Sequence, residues 1–266
     1  MNRAGTPAMT GDESPLGLSA VVVAQNEARN MARCLASLGF TDEIVVVDAL
    51  STDETPAIAR RYGAKVLTRR WDGFASQKQF AIDHASGDWV LLIDADEEVT
   101  AELAAEIREV VAADPQTSAF RITRRNQFLG QWVRFGPWAR DEQLRLFRRG
   151  SAAMADRPVH EGIESDDVAG SLQAPLNHYT HQTIDESFGR LNRYTTLEAG
   201  ERAARRRIRL LDAIILPAPL FLRYYFSGCW RDGVRGFLLA ATTAMYRSVL
   251  YVKTYLLQRG NADHSL

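Results

Sequence analysis

The most informative segment of the chain is Gly87-Asp-Trp-Val-Leu-Leu-Ile-Asp94-Ala-Asp96-Glu97-Glu98. Its apolar run from Trp89 to Ile93 predicts a buried strand, and a cluster of carboxylates follows where that strand leaves the sheet. Acids buried close together are costly unless a cation accompanies them. Because Mg²⁺ and Mn²⁺ bind both carboxylate and phosphate oxygens, the segment predicts a divalent metal site that holds a diphosphate.

The same acids also have a simpler interpretation. Acidic residues after a strand often begin a solvated loop. Here Asp96, Glu97 and Glu98 would also complement the N-terminal dipole of a following helix. Thr100 is the predicted cap of that helix, because a threonine oxygen can accept a backbone hydrogen bond at this position. The residues upstream favour the metal site over the loop.

The first half of the chain alternates strand and helix patterns, which predicts an α/β fold with a mostly parallel sheet flanked by helices. Asn26 can cap the first helix, and Ser51 with Glu54 has the capping-box spacing before the second. The predicted strands are 18–24, 43–47, 64–67, 89–93 and 119–123. The predicted helices follow Asn26, cover 55–62 and 76–85, and resume along the apolar face 103, 107, 110 and 111.

Polar side chains follow three of these strands at their carboxyl ends. They are Gln25, Asn26 and Glu27 after the first strand, Asp48, Ser51 and Asp53 after the second, and Asp94 with Asp96 after the fourth. In a parallel sheet these ends meet at one edge, which is where ligands bind in α/β folds. We therefore expect the three sets of polar residues to form one site.

Composition limits the remaining choices. The 266 residues are 46% hydrophobic with a net charge of −1, which fits one large domain or a domain with an appended piece, and gives no general attraction to polyanions. The two cysteines lie outside any CxxC spacing, so a zinc site or a disulfide framework is not expected and a reducing compartment is favoured. Residues 1–16 are expected to be a disordered lead-in and not a signal peptide.

The C-terminal part of the chain is basic and follows a helical pattern. Glu186–Leu266 contains 13 Lys or Arg against 6 Asp or Glu, and its apolar segments 210–222 and 236–252 are interrupted by charges or prolines. No spanning helix is therefore predicted. The region could be a solvated helix face, or it could lie on an anionic membrane surface, which we favour because Arg residues flank aromatic and aliphatic ones. No nucleic-acid-binding signature is present, and no nucleic-acid partner is expected.

Several segments resemble the glycosyltransferase family 2 enzymes of GT-A fold, and more narrowly the bacterial lipopolysaccharide-core β-1,4-glucosyltransferase group. They occur in the family's order over roughly residues 18–162, and the Arg-rich apolar tail is also similar. The matching segments are VVVAQNE at 21–27, VVVDALSTD at 45–53, WDGFASQK at 71–78, GDWVLLIDADEE at 87–98, QLRLFR at 143–148 and VHE at 159–161.

The resemblance implies a role for each matching residue. Asp94 and Asp96 match the DxD motif that binds the metal–diphosphate, and the implied ion is Mg²⁺ or Mn²⁺. The residues assigned to the nucleotide sugar are Ala24, Asn26, Glu27, Asp48, Ser51, Lys78, Asp94 and Arg145. Alternatives remain: Asn26, Ser51 and Asp53 could only cap helices, Lys78 could be solvated, and Arg145 and Arg148 could line the acceptor site or face water.

The resemblance also implies a general base for the acceptor hydroxyl. Glu161 in the VHE segment is the first candidate and Asp141 the second, although Glu161 could only form a surface pair with His160. By looser analogy His178 or His181 could be an additional metal ligand, the alternative being a structural histidine.

Taken together, the resemblance implies an inverting, metal-dependent glycosyltransferase that moves a hexose, glucose from UDP-glucose, to a lipid-linked saccharide such as the lipopolysaccharide inner core. The expected organisation is a GT-A domain over residues 17–183 and a membrane-associating helical region over 184–266. The expected location is cytoplasmic, peripheral on the inner face of the bacterial inner membrane. Two alternatives are a polyprenyl-phosphate sugar synthase of the same fold and a non-catalytic saccharide- or nucleotide-binding module.

Overall fold

The structure is a computed structural model that describes residues 17–155, 162–165, 170–180, 182–205 and 207–260. The strands within these ranges are β1 Leu18–Ala24, β2 Glu43–Asp48, β3 Lys65–Thr68, β4 Trp89–Asp94, β5 Glu97–Val99, β6 Ala119–Phe128, β7 Gln131–Trp132, β8 Asp141–Arg148, β9 Ala152–Met154, β10 Ile163–Ser165, β11 Gly170–Ser171 and β12 Leu176–His178. The α-helices are α1 Ala28–Ala36, α2 Thr55–Arg61, α3 Phe74–Asp83, α4 Ala101–Ala113, α5 Ile184–Arg205, α6 Leu210–Ile215, α7 Pro217–Phe226 and α8 Gly233–Gln258, with short 3-10 helices at Pro137–Arg140 and Cys229–Asp232. The predicted lead-in, residues 1–16, lies outside the described residues.

The central sheet has the strand order β3-β2-β1-β4-β8-β6-β12-β5, with β7 and β11 also paired to β6. Strands β1 to β4 are mutually parallel, as predicted, and β8 then runs antiparallel to both β4 and β6. The connection from β6 to β8 contains the short strand β7 and a 3-10 helix but no crossover α-helix, and the chain returns antiparallel. The predicted α/β class is confirmed, and the sheet is mixed.

Alternate residues of the central strands pack on opposite faces of this sheet, as the two-residue period of a strand requires. Ala20 and Val22 of β1 join the core formed with α1 and α4, which contribute Met31 and Leu103. Val21 joins the core on the other face, which α3 covers. With helices on both faces, the strand ends at the carboxyl edge are the part of the sheet left open for a ligand.

The helix N-cap residues predicted from the sequence are partly confirmed. Thr100 caps α4 as predicted, because its Oγ1 accepts a hydrogen bond from the backbone N–H of Leu103 at 3.2 Å. The caps predicted at Asn26 and Ser51 are wrong: Glu27 and Glu54 occupy those positions, with no side-chain capping bond. The Asn26 and Ser51 side chains are instead used to join the β1 and β2 exits.

The C-terminal helices pack on each other through α5 and α8. Ala199 of α5 lies in a small core with Leu250 and Tyr251 of α8. Lys253 of α8 is buried beside it, and four oxygens of α5 lie within 3.0 Å of its Nζ, including the carbonyl of Asn192 at 2.8 Å. The two helices are thereby fixed to each other, and the face of α5 that points to the sheet is held in place.

None of the helices in the described ranges is by itself long and apolar enough to cross a membrane. The segments Leu210–Phe226 and Cys229–Gln258, which meet at a bend of 70°, satisfy the length and composition criteria only when taken together.

Candidate active site

Asp94 ends β4, and its carboxylate lies between two cationic side chains. Lys78 Nζ of α3 is 2.8 Å from its Oδ1, and Arg145 Nη2 of β8 is 2.7 Å from its Oδ2. Burial alone would raise the pKa of Asp94, but Arg145 and Lys78 hold it well below its usual range. Lys78 and Arg145 are both buried, so the interpretations that left them in solvent are wrong.

Asp96 is also buried, and it faces two groups from the C-terminal half of the chain. Arg190 Nη2 of α5 is 3.0 Å from its Oδ2, and His178 Nε2 of β12 is 3.5 Å from its Oδ1. Burial raises the pKa of Asp96, and His178 and Arg190 together lower it far more, so the group is a carboxylate at neutral pH. Arg190 was not among the residues singled out in the sequence.

Glu97 is the second residue that sequence reasoning missed. Its side chain is 0% exposed, and its Oε1 pairs with Arg145 Nη2 at 2.6 Å and Arg124 Nη1 at 3.2 Å. Its Oε2 accepts a hydrogen bond from the backbone N–H of Asp94 at 2.9 Å. The interpretation of these acids as a solvated loop is therefore wrong, because the chain turns at once into the short strand β5. Its partners Arg124 and Arg145 lie on β6 and β8, far from Glu97 in the chain, so no local sequence signal could have found this pairing.

Polar side chains connect the loops that follow β1 and β2. The backbone N–H of Asn26, a residue with φ of 56°, donates to Ser51 Oγ at 2.8 Å, and Asn26 Oδ1 accepts from the backbone N–H of Thr52 at 2.8 Å. Asp48 is 3% exposed, and its Oδ2 accepts from the backbone N–H of Ser51 at 3.2 Å. Asp48 Oδ1 is buried with no hydrogen-bond partner within the described chain, so this edge has a polar group that a ligand donor could satisfy.

Glu27 connects this pair of exits to the acidic end of β4. Burial raises the pKa of Glu27, and the nearby carboxylates Asp96 and Asp53 raise it further, against the lowering effect of Asn30 and Arg190. In the parallel register Ala24 pairs with Asp48 and Val23 pairs with Asp94, which sets the three strand ends side by side. The predicted convergence of the three strand exits on one edge is right, with Ala24 buried at the end of β1 within it.

Asp141 is the first residue of β8, and both of its carboxylate oxygens accept hydrogen bonds. Its Oδ2 accepts from Arg124 Nη2 at 2.6 Å and Asn126 Nδ2 at 3.2 Å, and its Oδ1 accepts from Gln143 Nε2 at 2.8 Å. Burial raises the pKa of Asp141, but Arg124 and these hydrogen bonds leave it lowered. Such a carboxylate is a weak base, and its contacts favour a positioning role.

A divalent ion fits the donor chemistry of this edge. No group of three or more His, Cys, Asp or Glu side chains in the described ranges could hold a metal ion without other ligands. His178 Nε2 nevertheless lies 3.5 Å from Asp96 Oδ1, and Asp94 is two residues before Asp96 in the chain. Mg²⁺ and similar ions in phosphate-binding sites commonly take only one or two carboxylates and complete their shell with substrate oxygens and water. The predicted ligand His181 and the predicted base Glu161, with His160, lie outside the described residues.

Comparison with known proteins identifies the enzyme family to which the chain belongs. The family model for glycosyl transferase family 2 matches residues 19–169. The mannosyltransferase PcManGT of Pyrobaculum calidifontis, solved with GDP-Man and Mn²⁺, superposes with a TM-score of 0.51 at 16% identity over 94% of this chain and 89% of its own. The chain therefore belongs to glycosyltransferase family 2, has the GT-A fold and is a glycosyltransferase.

Two relatives in sequence narrow the comparison. The lipopolysaccharide core biosynthesis glycosyltransferase LpsC of Rhizobium meliloti is 34% identical over 264 residues, which covers 94% of this chain and 98% of LpsC. An uncharacterized glycosyltransferase of Rickettsia conorii is 34% identical over 198 residues, covering 68% of this chain and 69% of its own. The similarity to LpsC thus includes the C-terminal helices as well as the sheet.

Replacing Glu97 should destabilise the protein strongly. Glu97→Ala leaves the buried Arg145 and the partly buried Arg124 with fewer partners, and removing one member of a buried ion pair typically costs about 3–5 kcal/mol. Glu142→Ala, on the exposed face of β8, is the matched control and should change stability by less than about 0.5 kcal/mol. Urea unfolding of the three proteins measures this, and equal midpoints for Glu97→Ala and the wild type would contradict the assigned network.

Proposed function

We propose that this glycosyltransferase is an inverting, metal-dependent enzyme that transfers a hexose, glucose from UDP-glucose, to a lipid-linked saccharide such as the lipopolysaccharide inner core. The observation that carries the proposal is the pair formed by the partly buried Asp94 and the buried Asp96, which lie at the carboxyl end of β4 between cationic side chains. The similarity to LpsC, whose name assigns it to lipopolysaccharide core biosynthesis, supports the acceptor class.

The donor would lie across the three strand exits. Asn26, Ser51 and Asp48 offer backbone and side-chain hydrogen-bonding groups for the base and ribose, including the unpartnered Asp48 Oδ1. Lys78 and Arg145 would face the diphosphate, since both already hold a carboxylate oxygen within 2.8 Å. Cations fixed in this way stabilise the negative charge that develops on the leaving group without needing to reorganise.

The divalent ion, Mg²⁺ or Mn²⁺, would be held by Asp96 with Asp94, and His178, whose Nε2 is 3.5 Å from Asp96 Oδ1, would be the additional ligand. When bound, such an ion neutralises the leaving nucleoside diphosphate. Arg190 now pairs with Asp96 and would give up part of that contact when an ion occupies the carboxylate.

The proposed base is Glu161. Asp141 is the weaker candidate, because Arg124, Asn126 and Gln143 already use its oxygens. We assign Asp141 to holding Arg124, which in turn pairs with Glu97 beside the proposed diphosphate site.

The proposed metal dependence is tested by titrating UDP into the protein by calorimetry, with and without Mg²⁺ or Mn²⁺. Asp96→Ala should weaken UDP binding by at least about tenfold, and excess EDTA should have the same effect on the wild type. Asp88→Ala removes an exposed acid at the opposite end of the same strand and should bind UDP normally. Undiminished affinity in EDTA, or in Asp96→Ala, would refute the metal–diphosphate site.

The proposed base is tested by Glu161→Gln. Loss of a general base typically lowers turnover by about 10²–10⁴-fold, and UDP affinity should not change. The measurement is transfer of labelled hexose to the isolated acceptor lipid at saturating donor. A rate within about twofold of the wild type would favour a phosphate acceptor, whose oxygen is already anionic and needs no base, and with it the polyprenyl-phosphate alternative.

The C-terminal helices support a peripheral position on an anionic membrane. Large apolar side chains are exposed along α6, α7 and the start of α8, with Ile214 at 68%, Phe226 at 70% and Val234 at 75%. Exposed arginines flank them, including Arg209 and Arg231. Exposed apolar surface with basic neighbours is the combination that binds the interface of an anionic leaflet.

Vesicle sedimentation tests this position. The protein should sediment with vesicles of phosphatidylcholine containing phosphatidylglycerol and be released by high salt. The pair Ile214→Ser and Phe226→Ser should weaken the association, whereas Tyr62→Ser, an exposed residue next to α2, should not. Equal binding to neutral and anionic vesicles would contradict the electrostatic part.

A further inference from the structure

A cavity of about 420 Å³ lies between helices α5, α7 and α8, and its floor is Phe128 and Trp138 beside the sheet. Cavities of this size commonly accommodate a small ligand, with apolar walls and a few polar groups that fix its orientation. The proposed donor site does not use this cavity.

Three helices each present one face to the cavity, as the spacing of the lining residues shows. Helix α5 contributes Ser187, Arg190 and Tyr194, which recur at three- and four-residue intervals. Helix α7 contributes Arg223 and Tyr224. Helix α8 lines the remaining side of the cavity with residues between 242 and 247.

The cavity wall is cationic. It contains the guanidinium groups of Arg190, Arg223 and Arg247, and a single carboxylate, that of Glu198. Glu198 is already neutralised, because Arg202 Nη2 lies 2.7 Å from its Oε1 and Tyr246 Oη donates to its Oε2 at 2.7 Å. Neither Arg223 nor Arg247 forms an ion pair with a residue in the described ranges, so two guanidinium groups have their donors available to a ligand.

The cavity adjoins the proposed reaction centre. Arg190 belongs to its wall and also pairs with Asp96 Oδ2 at 3.0 Å. A molecule that contacts Arg190 from the cavity is therefore separated by that one side chain from the carboxylate that would hold the metal and the donor diphosphate. Transfer requires the acceptor hydroxyl to lie in contact with the donor sugar, so the acceptor site must adjoin the donor site.

We propose that this cavity binds the acceptor and selects a saccharide that carries a carboxylate or phosphate group. This inference rests on the proposed function. Trp138 and Tyr224 line the cavity, and aromatic side chains give sugar rings an amphipathic surface to pack on. Arginine pairs with carboxylate or phosphate through two parallel hydrogen bonds.

The position of α7 agrees with an acceptor attached to a lipid. Arg223 and Tyr224 line the cavity, while Leu222 and Phe226 of the same helix are 51% and 70% exposed. One helix thus separates the anion-selecting cavity from the apolar surface proposed to contact the membrane. A saccharide whose lipid remains in the leaflet would reach the cavity past this helix.

The test uses two soluble trisaccharides of similar size, trigalacturonate and maltotriose, and measures binding by calorimetry at low salt with UDP and Mn²⁺ present. The wild type should bind trigalacturonate at least about tenfold more tightly than maltotriose, and salt should reduce the difference. The double variant Arg223→Gln with Arg247→Gln should lose this preference. Arg207→Gln, which removes an exposed charge outside the cavity, should keep it.

UDP affinity, measured first in every variant, reports whether the protein is folded and the donor site intact. If the double variant does not fold, Arg223→Lys, which keeps the charge but not the two-pronged geometry, should show a partial loss of preference. Equal binding of the two trisaccharides, absence of binding by trigalacturonate, or an unchanged preference in the folded double variant would overturn the inference. Failure of the wild type to bind UDP would instead refute the proposed function.

The variants also separate a saccharide from a lipid head group as the ligand. Leu222→Ser with Phe226→Ser alters the outer face of α7, so it should reduce vesicle binding and leave trigalacturonate binding unchanged. If the arginine pair were required for binding phosphatidylglycerol vesicles and not for binding trigalacturonate, the cavity would be a lipid site and the inference would be overturned.

Discussion

The pairing of buried and partly buried carboxylates with cations at the end of β4 is the constraint on which the rest of this structure depends. Asp94, Asp96 and Glu97 would each be costly to bury as an isolated charge. Lys78 and Arg190 supply cations from helices, and two arginines supply them from β6 and β8. The position of β8 between β4 and β6, antiparallel to both, brings the strand arginines next to the acids. The order of the strands therefore determines which cations compensate the acids.

The same network gives the C-terminal helices a place in the site. Helix α5 carries Arg190 to Asp96, and α8 holds α5 through the buried Lys253. Burial lowers the pKa of Lys253, and its Nζ is matched by neutral oxygens instead of by an acid. Residues after 184 therefore contribute to the candidate site as well as to the surface, although the sequence indicated only the surface role.

The parts predicted from sequence are those with a local signal. The strands β1, β2 and β4 were found to within one residue, because each is an apolar run followed by a polar exit. The convergence of those exits follows from parallel topology. Strands β5 and β12 were not found, because three residues carry no usable period. Glu97 was misread for a related reason: its partners Arg124 and Arg145 are 27 and 48 residues away, and no local pattern records such a pairing.

The position of Arg190 has a consequence for the order of events on the enzyme. One guanidinium group serves both Asp96 and the wall of the cavity. With the donor and the acceptor bound as proposed, an ion at Asp96 would change the position or charge environment of Arg190 and so the affinity of the cavity. Thermodynamic reciprocity then requires occupancy of the cavity to change the affinity at Asp96 by the same free energy, which would couple the binding isotherms of the two proposed substrates through a single side chain.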